Sequence, residues 1–258
     1  MSVLLALMLL PGFSDEPGAS NPTDPASRLD FMKRSVAAHT LRRADVPSVD
    51  YRLVREPLLR FNNKVGTVED GTLFYWIDAD DRPVALVQVY RTTDVGWRHT
   101  FTSLSTVPLT TGRVWNPAKP GIEFRPVPGA PRPADTREKR LRQMHDLLKG
   151  FEAEMKLFGT RHRLRPLAKP LIRYGKADTE AVDGALFGFV LTTDPEVALL
   201  LEARRGKNEI EWQYAFAPEA SASLTGSWKG RAVWDFSMSD NAFDNREPYY
   251  DWAYRELP

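Results

Sequence analysis

Cysteine is absent from this chain of 258 residues. Its absence excludes disulfide bonds, thiolate zinc sites, iron–sulfur clusters and cysteine nucleophiles. An excess of either charge is also missing, because 35 basic side chains oppose 34 acidic ones and leave a formal net charge of +1. That balance gives no electrostatic attraction for nucleic acid or for an anionic membrane, so we expect no nucleic-acid partner.

The sequence also lacks the common catalytic motifs. It contains no glycine-rich phosphate loop, no GxSxG motif and no HExxH motif. Its four histidines are not spaced as ligands of one metal ion. We therefore predict no catalytic residues, no metal site and no cofactor, which favours a protein that is not an enzyme.

Long apolar segments are missing as well, and no stretch approaches the length of roughly 20 residues that a transmembrane helix needs. The apolar run at residues 3–10 is followed by the small residues Gly12 and Ser14. This arrangement resembles a secretory signal peptide, although no lysine or arginine precedes it. We predict a signal peptide at 1–14, a flexible lead-in at 15–27 and export to the periplasm or beyond, with a cytoplasmic location as the alternative.

What the sequence does contain is an internal match. Residues 57–91 align without a gap with residues 170–204, and 12 of the 35 aligned pairs are identical. Chance composition would give roughly 2 or 3 identities over such a length. The match predicts one structural unit that is present twice.

Each predicted unit begins with a helix. Asp24 and Pro25 suit the start of the first helix. The second begins with the capping-box pair Asp135 and Glu138 and ends at Gly159. Its apolar stripe consists of Leu141, Met144, Leu148, Phe151, Met155 and Phe158.

Strands are predicted after each helix from runs of β-branched and aromatic residues. In the first unit these are 51–61, 72–78, 84–91, 97–105 and 111–116. In the second unit they are 164–174, 185–192, 197–204, 210–217 and 223–236, the last broken by a turn near Lys229 and Gly230.

The predicted fold class is therefore α+β. It consists of two tandem repeats, each one helix followed by a four- or five-stranded antiparallel sheet, related by pseudo-two-fold packing. The two units would bury Phe74, Trp76 and Trp97 against their counterparts. The predicted divisions are repeat unit 1 at 28–116, a proline-rich linker at 117–135, repeat unit 2 at 136–234 and a C-terminal arm at 235–258.

Six residues are candidates for ligand binding. Arg60 and Arg173 recur at the same place in the two repeats, and an arginine can bind a carboxylate or phosphate through two parallel hydrogen bonds. An internal ion pair in each unit is the alternative. The aromatic candidates are Trp76, Trp97 and Trp212, and His99 shares a strand face with Trp97.

Four aspartates are candidates for a different role. Asp70-Gly71 and Asp183-Gly184 are predicted to form turns before strands, and Asp81 and Asp194 are also placed in turns. The same carboxylates could form an acid–base pair if two of them faced each other in a pocket.

Several segments together resemble an uncharacterised family of exported proteins from planctomycete bacteria. The segments are SRLDFMKRS, EPLLRF, SLSTVPL, VWNPAKPGIEFRPVPGAP, RLRQMHDL and DGALFGFVLTTDPEVALLLEARRG. The resemblance covers most of residues 28–234. It implies export, and because no activity goes with the family, it assigns no role to any residue.

The leading functional interpretation is a non-enzymatic module that binds a small molecule, a glycan or a protein partner between its repeats. One alternative is a carboxylate-dependent hydrolase or lyase that acts in a cleft between the repeats. A second alternative is a structural or assembly protein of the cell envelope.

Overall fold

The computed structural model describes residues 24–63, 67–93, 96–157, 159–206, 209–237 and 243–253. The predicted signal peptide at 1–14 lies outside these residues, as does the part of the predicted lead-in at 15–23. Among the described residues, no helix combines the length and the apolar character needed to cross a membrane.

Two helices are present in the described residues, α1 (Pro25–Ala37) and α2 (Arg137–Leu148). The start predicted for the first helix is confirmed: Asp24 caps α1 by accepting hydrogen bonds from the backbone amides of Ala26 and Ser27. The cap of α2 is Thr136, one residue after the predicted Asp135.

Sixteen strands are formed by the described residues. They are β1 (Arg42–Arg43), β2 (Arg52–Asn63), β3 (Val68–Ile77), β4 (Pro83–Thr92), β5 (Gly96–Ser103), β6 (Leu109–Thr110), β7 (Arg125–Pro126), β8 (Phe151–Leu157), β9 (Thr160–Pro166), β10 (Ile172–Tyr174), β11 (Ala181–Val190), β12 (Pro195–Arg205), β13 (Ile210–Pro218), β14 (Ser223–Trp228), β15 (Arg231–Phe236) and β16 (Tyr249–Ala253).

The strands form two main sheets. The first has five strands in the order β16-β5-β4-β3-β2. The second has nine, in the order β15-β14-β8-β9-β11-β12-β13-β7, with β10 also paired to β11. A separate two-stranded ladder joins β1 to β6, and every strand pairing in these sheets is antiparallel.

The predicted fold class, an α+β protein of two tandem helix-plus-sheet repeats related by pseudo-two-fold packing, was wrong. Strands make up 51% of the described residues and helices 12%, so the protein is mostly β. The two sheets are unequal in size. Segments that were predicted to be helix, linker or C-terminal arm instead form strands, and these strands join the two sheets. The nine-stranded sheet includes β7 from the proline-rich segment, and the five-stranded sheet includes β16 from near the C-terminus.

The second half of the predicted second helix accounts for part of this error. Phe151, Ala153 and Met155 are buried on β8, whereas Glu152 and Glu154 between them are partly exposed. This alternation is the two-residue period of a strand, but its buried members also fit a helical stripe. The chain leaves α2 at Gly150, where a Cβ atom would overlap the Trp228 ring. Phe158 lies outside the described residues.

Other predicted strands differ in detail. The predicted break near Lys229 and Gly230 is confirmed, because β14 and β15 form a hairpin there. The predicted strand at 164–174 is split into β9 and β10, and no strand forms over 111–116.

Three buried clusters divide the protein into layers. One packs α1 against the five-stranded sheet, and another packs α2 against the nine-stranded sheet. A third cluster fills the space between the two sheets, and it includes Leu73 and Leu86 from the first sheet and Leu186 and Leu200 from the second. Phe74, Trp76 and Trp97 pack beside α1, so the prediction that they lie between the units was wrong.

Candidate functional site

A cavity of about 640 Å³ lies where the two sheets face each other. One wall comes from all five strands of the first sheet, β2, β3, β4, β5 and β16. The other wall comes from β8 and from the two ends where β12 begins and β13 finishes. The residues that line it are Phe61, Asn63, Thr67, Val68, Gln88, Tyr90, Thr92, Arg98, Met155, Leu157, Leu191, Asp194, Glu196, Glu219, Ala220, Ser221, Ala222, Tyr249 and Asp251.

Two buried glutamates are the central polar groups of this cavity. Glu196 is the second residue of β12, on the strand face that also carries Ala198 and Leu200 toward the other sheet. Glu219 directly follows β13, and its backbone amide donates a 2.9 Å hydrogen bond to the Glu196 carbonyl. The pairing of β12 with β13 thus brings both acids to the same end of the cavity.

Glu219 is held by an amide from the opposite sheet. The Gln88 Nε2 donates to the Glu219 carboxyl Oε2 at 3.1 Å and to its backbone carbonyl at 2.9 Å. The other carboxyl oxygen, Oε1, is buried without a hydrogen-bond partner among the described residues. Burial raises the pKa of Glu219 to about 7, and hydrogen bonds from Gln88 and Thr102 partly oppose that shift.

Glu196 has no hydrogen bond or ion pair from its side chain among the described residues. Burial, followed by the nearby charges of Asp194 and Glu219, raises the pKa of Glu196 to about 8. Asp194 in turn accepts hydrogen bonds from Asn63 at 2.9 Å and from Thr192 at 3.2 Å. At pH 7 Glu196 is therefore mostly protonated and Glu219 is about half protonated.

A second group of polar side chains lines the cavity. Arg98 on β5 binds Asp251 on β16, with 2.7 Å between Nη2 and Oδ1. Ser221 donates a 2.7 Å hydrogen bond to the other oxygen of Asp251 and lies 2.9 Å from the Tyr249 hydroxyl. Burial raises the pKa of Tyr90 to about 12, so this phenol stays protonated. Arg98, Asp251, Ser221 and Tyr249 thus have partners in one another, in contrast to the side chain of Glu196 and the Oε1 atom of Glu219.

The arrangement allows specific kinds of chemistry. A protonated carboxyl can donate a hydrogen bond or act as a general acid, and the same group when ionised can bind a cation. Among the described residues, no three histidine or acidic side chains are grouped as metal ligands. The cavity is therefore suited to small molecules that carry hydrogen-bond donors or positive charge.

The two predicted arginine candidates lie elsewhere and have internal partners. Arg60 contacts Asp70, with 2.6 Å between Nη2 and Oδ2, and also donates to the carbonyl of Pro25 at the first residue of α1. Arg173 contacts Asp183 at 2.8 Å and donates to the carbonyl of Arg137, the first residue of α2. Each arginine thus ties the start of a helix to a sheet, as the ion-pair alternative describes.

The aromatic candidates are buried on the helix sides of the sheets. Trp76 and Trp97 pack beside α1, and Trp212 packs beside α2. His99 is buried with its Nε2 atom 3.2 Å from the Ser35 hydroxyl oxygen. Burial, with a smaller effect of His39, lowers the pKa of His99 well below its usual value. The structure brings none of these four residues to the cavity between the sheets.

The prediction that the two Asp-Gly pairs form turns was wrong, because both lie inside strands. Gly71 is paired with Phe61 across β2 and β3, and Gly184 is paired with Tyr174 across β10 and β11. A Cβ atom on Gly184 would lie 2.6 Å from a carbon of the Tyr174 ring. Each glycine leaves room for an aromatic ring, and the preceding aspartate binds arginine.

The remaining predicted aspartates have different positions. Asp81 lies in the connection between β3 and β4 and is exposed. Asp194 lies in the connection between β11 and β12 and lines the cavity.

Sequence reasoning missed Glu196, Glu219 and Gln88. A usable signal was present for two of them, because Glu196 and Gln88 lie beside runs of apolar residues in strands that are mostly buried. A polar side chain on the buried face of a strand needs a partner or a function. Glu219 gave no such signal, since it follows the end of its strand.

Comparisons with protein-family models, curated proteins and solved structures found no match to this chain. The resemblance to an exported bacterial family therefore stays a prediction.

Proposed function

We propose that this protein is a non-enzymatic binding module that takes a small polar molecule into the cavity between its two sheets. The observation that carries the proposal is the Glu219 carboxyl, which lines the cavity with one oxygen buried and without a hydrogen-bond partner among the residues that the structure describes. A buried polar atom without a partner costs free energy, and a bound ligand that donates a hydrogen bond removes that cost.

The dimensions and lining support the same proposal. About 640 Å³ falls within the usual range for small-molecule sites, and the lining combines apolar walls with a few polar groups. The exposed large apolar side chains among the described residues are Val46, Val49 and Phe243. A structural or assembly role, which calls for a large exposed apolar patch, has less support.

A carboxylate-dependent hydrolase or lyase is the second candidate, and one observation favours it. Glu196 and Glu219 have raised pKa values of about 8 and about 7, and Asp251 lies on the same cavity. A general acid needs a proton at the working pH, and a second carboxylate can serve as base or nucleophile. This candidate predicts turnover of a glycoside or ester panel that is lost in the Glu219→Gln variant.

We also propose that the protein is exported. The support is the apolar run at residues 3–10 and the resemblance to an exported family. Cell fractionation, with N-terminal sequencing of the recovered protein, tests this directly. Recovery of the intact N-terminus in the cytoplasm would contradict it.

A thermal-shift screen of the full chain tests the binding proposal. The panel holds amines, amino acids, sugars, nucleotides and short peptides. A ligand present at 100 times its dissociation constant should add about 2.7 kcal/mol to the free energy of unfolding and raise the midpoint by roughly 5 to 10 °C.

The control is a pair of matched variants. Ala220 lines the cavity, so Ala220→Phe should fill part of it and abolish the shift. Ala37 is exposed at the end of α1, so Ala37→Phe should leave the shift unchanged. A panel without any shift, or a shift that survives Ala220→Phe, would overturn the proposal.

A further inference from the structure

The buried acidic side chains divide into two groups by their partners. Six are buried among the described residues, and four of them contact arginine. The pairs are Asp70 with Arg28 and Arg60, Asp183 with Arg140 and Arg173, Glu202 with Arg82 and Arg204, and Asp251 with Arg98. The two that have no basic partner within the described ranges are Glu196 and Glu219, and both line the cavity.

We propose that the ligand of this cavity is a small organic cation, an amine or a guanidinium compound, that contacts the carboxyl groups of Glu196 and Glu219. The inference rests on the proposed binding function and adds the chemical class of the ligand. The ligand cation would supply the positive counter-charge that an arginine supplies at each of the other four buried acids.

The described part of the chain offers no cation for these two glutamates. Arg98 is the basic residue among those that line the cavity, and its guanidinium is held by Asp251. An ionised carboxylate that is buried without a counter-charge is costly in free energy, so the protonated acids are favoured when no cation is bound. A ligand cation restores the ionised form and makes charge-assisted hydrogen bonds, which are stronger than neutral ones.

The shape of the cavity favours an organic cation over a metal ion. Phe61, Tyr90 and Tyr249 line it, and aromatic faces attract ammonium and guanidinium groups. Calcium requires six to eight oxygen ligands, and the described residues do not contain a metal-binding group of three acids or histidines. A volume of about 640 Å³ is also far larger than a single ion needs.

Binding of such a cation must release protons. The pKa values of Glu196 and Glu219, about 8 and about 7, leave most of one proton and part of another on the pair at neutral pH. The other titratable or charged groups that face the cavity are Asp194, Asp251, Arg98, Tyr90 and Tyr249. Arg98 pairs with Asp251, and the tyrosines stay protonated below pH 9 because burial raises the pKa of each. The affinity for a cation should therefore rise as the pH increases from 6 to 8.

Isothermal titration calorimetry of the full chain tests the inference with diaminobutane and agmatine as cations and butanediol as the neutral match. Titration at pH 7 in two buffers of different ionisation enthalpy measures the proton release. We expect the cations to bind at least about tenfold more tightly than the diol, with release of about one proton.

Two isosteric variants and one control complete the design. Glu219→Gln and Glu196→Gln should each weaken cation binding by roughly tenfold or more and reduce the proton release. Glu56→Gln, at a side chain that is 81% exposed, should change neither. If one cavity variant does not fold, the test rests on the cation affinity of the other variant and on the proton release measured with the unsubstituted protein.

The outcomes separate this inference from the function on which it rests. If diol and diamine bind equally well and Ala220→Phe weakens both, the proposal of a cationic ligand is overturned. The proposed binding function would still hold. Binding of calcium or magnesium in place of amines would also overturn it. If the thermal-shift panel and the calorimetric probes all fail to bind, the binding function falls, and the inference falls with it.

Discussion

Asp183 is completely buried below the first turn of α2 and contacts Arg140 and Arg173 at 2.8 Å each. We expect Asp183→Asn to reduce the free energy of unfolding by about 3 kcal/mol, because it leaves two guanidinium groups without their counter-charge. Urea unfolding followed by circular dichroism measures the change.

The control for that substitution is Asp81→Asn. Asp81 also contacts two basic residues, Arg52 and Lys176, but its side chain is 53% exposed. Surface ion pairs contribute little to stability, so this variant should unfold at the same urea concentration as the natural chain. Equal losses in the two variants would show that burial does not set the strength of these ion pairs.

For individual residues, the sequence indicated which side chains could form ion pairs but not which residues they contact. The recurrence of Arg60 and Arg173 could be read directly, whereas their contacts with Asp70 and Asp183 depend on strand register. An arginine opposite a buried aspartate and an arginine that awaits a ligand look alike in a sequence. The alternative interpretation, an internal ion pair in each unit, describes the contacts that Arg60 and Arg173 make in the structure.

Among the strands, β11 offers a direct test of how aromatic rings lie over glycine. A methyl group on Gly184 would lie 2.6 Å from the Tyr174 ring, so Gly184→Ala should destabilise the protein by about 1 to 3 kcal/mol. In the same strand, a Cβ atom on Gly188 would lie 3.3 Å from the flexible ends of Leu167 and Leu171. Gly188→Ala should therefore cost less, because those side chains can move.

Urea unfolding of the two alanine variants checks this prediction. Gly184→Ala should also lower the near-ultraviolet dichroism of the tyrosines, because the Tyr174 ring must shift. A Gly188→Ala variant that is the less stable of the two would contradict the role given to the ring.

The ends of helices and strands were predictable where neighbouring residues in the sequence determine the backbone conformation. Asp24 and Pro25 marked the start of α1, and Lys229-Gly230 marked the turn between β14 and β15. The second helix was extended too far because Phe151 and Met155 satisfy both a helical and a strand period. Local pattern cannot separate the two, since the Trp228 ring that packs against Gly150 is far away in the sequence.

For the molecule as a whole, buried titratable groups predict how stability varies with pH. Burial raises the pKa of Glu196 from 4.5 to about 8 and that of Glu219 from 4.5 to about 7, so their contribution is lost as the pH rises through these windows. Burial lowers the pKa of His39 from 6.5 to about 4, so its contribution is lost as the pH falls. His99 acts in the same direction as His39.

The opposing contributions of the two glutamates and the two histidines nearly cancel between about pH 4.5 and 6.5, so stability should be near its maximum over that range. Above that range the glutamates act without opposition, and each can remove roughly 1.4 kcal/mol per pH unit while it titrates. Thermal unfolding between pH 5 and pH 9 should show the midpoint fall from pH 6.5 to 8. Glu196→Gln should flatten this fall, and Glu56→Gln should not. A curve that is flat or rising between pH 6.5 and 8 would contradict the burial of these acids.

The mostly β architecture was harder to predict than its parts. Most strands of the two central sheets were located, but the sequence did not reveal that β7, β8 and β16 would extend those sheets. The cavity depends on this extension, because β8 and β16 supply part of its lining. Pairing between strands that are distant in sequence leaves little local trace, so the site could not be assembled from the chain alone.

The position of β16 has a consequence for biosynthesis. This strand pairs with β5, and its Asp251 contacts Arg98 from 153 positions away in the chain. During translation, the edge of β5 therefore stays open until the whole nine-stranded sheet has left the ribosome. Contacts of such high sequence separation slow folding, and an open edge can pair with another nascent chain. Protection of that edge by a chaperone would thus matter most in the interval before residues 249–253 emerge.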